Sequence, residues 1–187
     1  MQPGTDDLLV SPPAHDVPTT LPARSGLFWW LSAGTVVVDQ LTKFIVNATL
    51  PLYGSKTVIP HLFDIVHVHN EGVAFGLMNS LDHPQKGYLT SGLAIAALAS
   101  IAYYARHVRA EERLARLGLS LILGGAAGNL IDRLRQGFVV DFVDVYWHGW
   151  HFWAFNVADA AITVGATLVF IEILFMNRHA SHPPADR

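Results

Sequence analysis

Four apolar runs, at 27–46, 88–105, 117–131 and 155–176, set the main constraint on what this chain can fold into. The first, LFWWLSAGTVVVDQLTKFIV, would be about 30 Å long as a helix, which matches the hydrocarbon core of a bilayer. The third is short, but Arg116 and Arg133 stand at its ends and can snorkel to the interface. In lipid the backbone must satisfy its own hydrogen bonds, so runs of this kind specify helices. Composition agrees. The 187 residues are 51% hydrophobic and only 14% charged, where a soluble domain has roughly 25% charged residues. The expectation is an α-helical integral membrane protein with four transmembrane helices and a small extracytoplasmic β-sheet and loop region.

The flanks are different. Residues 1–25 are proline-bearing, carry Asp6, Asp7 and Asp16, and have no apolar period, so they read as a disordered cytoplasmic leader. A membrane domain at 26–178 and a cytoplasmic tail at 179–187 follow. Arg24 and the apolar stretch ending in Ser32, Ala33 and Gly34 also have the make-up of a signal-peptide core. The long leader and the return of apolar residues after Asp39 favour a retained helix. The segment between the second and third runs holds Arg106, Arg109, Arg113 and Arg116, with Arg24 and Arg178 at the outer flanks. The positive-inside rule then puts both termini in the cytoplasm and residues 47–87 and 132–154 together on the outer face. Both outer loops contain apolar, β-branched stretches, between Pro60 and Asn70 and from Phe138 to Tyr146, which read as strands. Trp147, Trp150 and Trp153 suit an interfacial aromatic belt. A net charge of −3 gives no reason to expect a nucleic-acid partner, and the absence of cysteine excludes disulfides and a thiolate nucleophile.

Charges inside spans need a reason, because each costs roughly 2.5–3.5 kcal/mol at the bilayer centre. Asp39 and Lys43 are four apart on one helix face and read as an ion pair at a helix end. Glu172 lies near the inner end of the fourth run, can snorkel towards water, and is given no role. Asp159 stands in the first turn of that run, three residues after Asn156, a natural N-cap. It has no basic residue within a turn, so its proton affinity should be tunable, as general acid–base chemistry requires. Asp132, Asp141 and Asp144 in the preceding loop are its candidate partners. Asp132 also adjoins Arg133, and Asp141 and Asp144 would face opposite sides of a strand. Two carboxylates in a dry site share a proton, which is the machinery of an aspartic protease. His67 and His69, with His61 nearby, lack a third ligand at a metal spacing and read as interfacial histidines. Ser120 lacks a histidine on its helix face, and the run of Gly124, Gly125, Ala126, Ala127 and Gly128 reads as a close-packing surface. A small proton-coupled transporter and a non-catalytic membrane scaffold are the alternatives that these residues alone admit.

Four segments carry a family likeness: DQLTK at 39–43, HNEGVAFGL at 69–77, GNLIDRLRQGFVVDFVD at 128–144 and FNVADAAITVG at 155–165. Together and in this order they resemble the lipoprotein signal peptidases (signal peptidase II). The resemblance implies an intramembrane aspartic endopeptidase with Asp141 and Asp159 as the catalytic pair. It assigns Asn70, Arg133, Asn129 and Asn156 to substrate binding, the first two facing the substrate and the other two in support. Asp39, Lys43 and Gly72 become structural residues beside the site, and Gly72 and Gly76 belong to a loop that can act as a lid. The implied substrate is a bacterial prolipoprotein whose cysteine already carries diacylglycerol, cut just before that cysteine in the cytoplasmic membrane. Membrane lipids are further partners. The likeness implies no metal or other cofactor, and it does not speak to the oligomeric state.

Overall fold

The structure, a computed structural model, describes residues 25–72, 83–109 and 111–180. The expected leader up to residue 24, the tail from 181 and Gly76 of the expected lid lie outside them. The elements run α1 (Ser25–Thr49), β1 (Ser55–Ile59), β2 (Phe63–Asn70), α2 (His83–Ala105), α3 (Arg113–Gln136), β3 (Val139–Trp147), β4 (Trp150–His151) and α4 (Val157–Ala180). Among the described residues, Gly87–Ala105, Arg113–Gln136 and Val157–Phe175 are long and apolar enough to cross a membrane. α1 has the length but falls outside this group, because Asp39, Gln40 and Lys43 interrupt its apolar sequence.

The helices hide polar groups and display apolar ones. Asp39 and Ser120 are fully buried, while Leu27, Trp30, Val37, Phe44, Leu93 and Phe170 are exposed. α3 is the central helix, packed on α4, α1 and α2. Its small residues allow this, as the sequence pattern leads one to expect. A side chain on Gly118 would meet the Gly165 carbonyl, and one on Gly165 would meet the Gly118 carbonyl. Gly125 faces the Ala158 carbonyl in the same way. Ser120 serves packing: its Oγ donates to Leu117 O at 2.7 Å, and its carbonyl accepts from Ser32 Oγ at 2.9 Å.

The helices extend beyond their apolar runs. α3 gains a turn at each end relative to 117–131. Arg133 and Arg135 in its last turn complement the helix dipole, and Gly137 closes it at φ 82°, its N–H donating to Arg133 O at 3.0 Å. Its other end corrects the reading of Glu172. That carboxylate does not reach for water: Oε2 accepts from Leu114 N at 2.9 Å and Ala115 N at 3.3 Å. The first turn of α3 leaves its amides without helix partners, and α4 supplies an acceptor. α4 itself begins at Val157, two residues later than its run, because Phe155 bridges to Val143.

The sheet is antiparallel in the order β1-β2-β3-β4. β2 and β3 are the two strands legible in the sequence. They pair with Asn70 opposite Val139, Val68 opposite Asp141 and Asp64 opposite Asp144, and the register shifts between Ile65 and Val68. β1 is exposed at every position and lies on the edge. Val46 of α1 and Val140 and Phe142 of β3 form a buried cluster, joined by Leu50, Ile65 and Val157. This cluster fixes the sheet to the ends of α1 and α4, which carries Asp141 to the mouth of the helices.

Candidate active site

α4 starts with a reciprocal cap. Asn156 Oδ1 accepts from Asp159 N at 2.9 Å, and Asp159 Oδ2 accepts from Asn156 N at 3.3 Å. The cap expected at Asn156 therefore exists, and it leaves the Asn156 amide nitrogen free to point the other way. That nitrogen donates to Asp141 Oδ1 at 2.7 Å. One fully buried asparagine thus holds both aspartates, one through its oxygen and backbone and the other through its nitrogen. Asn129 on α3 reaches the same pair: its Nδ2 donates to Asp159 Oδ1 at 2.8 Å, and its Oδ1 lies 3.3 Å from Asn156 Nδ2.

Asp141 is 2% exposed. Burial pushes its carboxyl up to about 6, against hydrogen bonds from Asn70 and Asn156 that favour the charged form. The Asp159 carboxylate raises it further, and Lys43 opposes. Asn70 Nδ2 donates to Asp141 Oδ2 at 2.9 Å, and Asn70 Oδ1 in turn accepts from Gly72 N at 2.8 Å. Gly72 adopts φ 78°, and a side chain there would collide with Thr90. Asn70→Ala removes a donor to the ionised carboxyl, so Asp141 should titrate above about 6. An infrared titration of the carboxyl in wild type and variant reads this shift. An unmoved or lowered midpoint would show that Asn70 does not hold the charge.

Arg133 lies beside the pair. Its Nη1 donates to Asn129 O at 3.3 Å, its Nη2 approaches Gly72, and its buried Nε has no hydrogen-bond partner among the described residues. Asp132, adjacent in sequence, does not pair with Arg133, because neighbours on a helix point in different directions. It turns to α1 instead, meeting Lys43 Nζ at 2.8 Å and Gln40 Nε2 at 2.9 Å. Lys43 also contacts Asp39 Oδ2 at 2.9 Å. The Asp39–Lys43 pair expected from spacing therefore forms, and it is part of a buried cluster with Asp132 instead of a simple bridge at a helix end. Gln40 was missed, since nothing in the sequence shows which buried group it faces. Asp144 leaves the site and pairs with His151 Nδ1 at 2.8 Å.

The histidines take other roles. His67 Nδ1 lies 2.9 Å from Leu50 O, and His69 stacks on Phe138 with centroids 3.6 Å apart. Burial and neighbouring His67 push His69 down from its ordinary value. Among the described residues no three His, Cys, Asp or Glu side chains are placed to hold a metal. An open cavity of about 950 Å³ lies at the far end of the sheet, lined by Leu62, Trp147, Trp150 and Phe152, away from the aspartates.

The profile of the family described as signal peptidase (SPase) II matches residues 31–175. The chain belongs to this family. A lipoprotein signal peptidase of Geobacter metallireducens is 43% identical over 155 residues, covering 83% of this chain and 94% of the relative. One from Pasteurella multocida is also 43% identical, over 158 residues, covering 84% and 94%. A solved structure described as a bacterial membrane enzyme, determined by the in meso method, superposes with a TM-score of 0.71. It shares 30% identity and covers 87% of this chain and 94% of that one. The match takes in α2, α3 and the sheet whole and most of α1 and α4. Membership of this family and the three apolar spans make the protein integral to a membrane.

Proposed function

We propose that this protein is the endopeptidase that removes signal peptides from diacylglyceryl-modified bacterial prolipoproteins, with Asp141 and Asp159 as its acid–base pair. The observation that carries this reading is the shared amide: Asn156 binds one oxygen of Asp141 and caps the helix turn that bears Asp159. At rest the pair holds one proton. The ionised member takes a proton from water, and the resulting hydroxide attacks the carbonyl carbon that precedes the lipidated cysteine. The protonated member hydrogen-bonds the carbonyl oxygen as it becomes an oxyanion. When the tetrahedral adduct collapses, the C–N bond breaks and the leaving amine takes a proton from the pair, returning it to one proton. Asn70 and Arg133 bind the substrate backbone, and Asn129 and Asn156 hold the carboxylates. Arg133 Nε, which has no partner among the described residues, supports this role as a fixed donor beside the pair.

We read α1 as a fourth span. Its exposed Leu27, Trp30, Val37, Leu41 and Phe44 face lipid while Asp39 and Lys43 turn inwards. Both termini lie in the cytoplasm and the sheet lies at the outer face of the cytoplasmic membrane. Arg106 and Arg109 between α2 and α3, with Arg113 and Arg116 in the first turn of α3, support this orientation. Exposed Trp147, Trp150 and Trp153 suit the lipid headgroup layer.

The test is cleavage of a purified diacylglyceryl prolipoprotein by the full chain in detergent micelles across pH. The rate should be bell-shaped. Loss of the shared proton sets the alkaline side, so kcat/KM should fall with a midpoint at about 6, the value to which Asp141 is pushed. Water exclusion by bound substrate should move the same limb of kcat higher. A rate that changes in one direction from about pH 4 to 9 would remove the shared proton from the mechanism. No cleavage at any pH would remove the function.

A further inference from the structure

We infer that Lys43 is a positioning residue for the acid–base pair: by fixing the Asn129 amide it makes Asp159 the base and leaves the proton on Asp141. This rests on the assignment of Asp141 and Asp159 to catalysis. Lys43 is 2% exposed. Its ammonium has three N–H groups and three acceptors: Asp39 Oδ2 at 2.9 Å, Asp132 Oδ2 at 2.8 Å and Asn129 Oδ1 at 2.9 Å. An ammonium can only donate, so Asn129 must present its oxygen to Lys43. Its Nδ2 then points to Asp159 Oδ1, at 2.8 Å, and that group can only donate too. The other oxygen of Asp159 faces the Asn156 backbone N–H, again a fixed donor. Among the described residues, neither oxygen of Asp159 has a partner able to accept a proton.

Asp141 is different. Its Oδ1 faces Asn156 Nδ2, whose direction is set because Asn156 Oδ1 accepts from Asp159 N. Its Oδ2 faces Asn70, an exposed residue whose amide is held by the exposed bond from Gly72 N and not by a buried cation. Among the described residues, Asp141 Oδ2 is the carboxyl oxygen whose partner can reverse its amide and accept a hydrogen bond, because the Gly72 N–H released by that reversal lies at the surface, where water can satisfy it. The proton therefore rests on Asp141 Oδ2, and Asp159 is the group that takes a proton from water. The counter-ions of Lys43 serve the same end. Asp39 Oδ1 accepts from Ala158 N at 2.9 Å, and Asp132 Oδ2 lies 3.4 Å from Val140 N. Each grips the residue immediately before one of the two aspartates. The charged groups facing this assembly are Asp39 on α1, Asp132 and Arg133 on α3, Asp141 on β3 and Asp159 on α4.

The experiment compares full-length wild type with Lys43→Met and Asn129→Asp in the micelle cleavage assay, with pH profiles and thermal unfolding. Asn129→Asp still accepts from Lys43 but puts an ionisable carboxyl where the fixed amide donor to Asp159 stood, so it tests the link without removing the buried cation. In both variants kcat should fall about 100-fold or more with KM little changed, and the acid limb of the profile should move up by about one pH unit, because a proton no longer competes with a fixed donor at Asp159. If Lys43→Met does not fold, Asn129→Asp alone decides. A folded Asn129→Asp with an unmoved acid limb overturns the positioning role. Infrared spectra at pH 5 read the proton directly: the protonated-carboxyl band should vanish in Asp141→Asn and persist in Asp159→Asn, and the reverse overturns the assignment of base. Wild-type rates in both aspartate variants would instead sink the catalytic reading itself.

Discussion

Asp141→Asn and Asp159→Asn should each abolish signal-peptide release while the protein still folds. Loss of a positioned acid or base lowers a rate by about 10²–10⁴-fold. Because the two carboxyls act as one unit, the double variant should be little worse than either single one. Asp141→Asn should also be the more stable protein near neutrality, and the sign follows from its proton affinity. Its carboxyl rises from an ordinary 3.8 to about 6 on folding, so the folded state binds the proton more tightly than the unfolded state. Stability from this group is present below the unfolded value and is lost as pH climbs towards about 6. The charged form at pH 7 then weakens the fold by about 3 kcal/mol, taking two pH units at 1.36 kcal/mol each. Asparagine carries no charge and escapes that penalty, less whatever its altered hydrogen bond with Asn70 costs. The check is a pair of unfolding curves at pH 4 and pH 7.5 beside the cleavage assay. The gain should appear at the higher pH and fade at the lower. A variant that is inactive because it is unfolded would make Asp141 a structural acid, and a variant that cleaves at the wild-type rate would remove it from the chemistry.

The sequence showed the helices and the inner strands because lipid and a half-buried sheet impose periods that side chains must obey. α2 and α4 are continuous apolar runs, and the strands β2 and β3 carry alternating β-branched residues. β1 has no such signal, since all five of its residues are exposed and nothing selects one face over the other. Helix ends were misplaced wherever a distant group caps them, as Glu172 does for α3 across 58 positions. Within the site, Asp159 and its cap at Asn156 were legible because the contact is local. The partner of Asp159 was not, as a strand period leaves Asp141 and Asp144 equally eligible, and the family likeness made the choice. The buried cluster was the least legible part. Gln40 and Asp132 are 92 positions apart, and Asp132 has Arg133 beside it in sequence as a more obvious partner. Only the packing of α1 on α3 shows that Lys43, and not Arg133, is the cation that pairs with Asp132.

That packing makes a methyl group consequential. Gly125 lies one helical turn before Asn129 on α3 and faces the Ala158 carbonyl, one residue from Asp159, with Ile162 Cγ1 only 2.9 Å from where a Cβ would stand. The obstruction is backbone, which cannot turn aside as a flexible side chain can. Gly125→Ala must therefore push the first turn of α4 away from α3. The Asn129–Asp159 bond of 2.8 Å crosses this contact and should lengthen, and the Asp39–Ala158 bond of 2.9 Å, which ties the same turn of α4 to α1, should be disturbed with it. Displacement of a catalytic group by about 1 Å can lower a rate 10²-fold. Overpacking of this kind costs about 1–3 kcal/mol, so the variant should lose activity out of proportion to stability. Gly34→Ala and Gly92→Ala provide the contrast, because a Cβ at either position meets nothing within 4 Å. They should keep the wild-type rate, and each exchanges a poor helix former for the best one, worth up to about 1 kcal/mol. The comparison is kcat and thermal unfolding for the three variants together. If Gly125→Ala cleaves as fast as Gly34→Ala, the spacing between α3 and α4 does not set the position of Asp159, and the small-residue face of α3 serves packing alone.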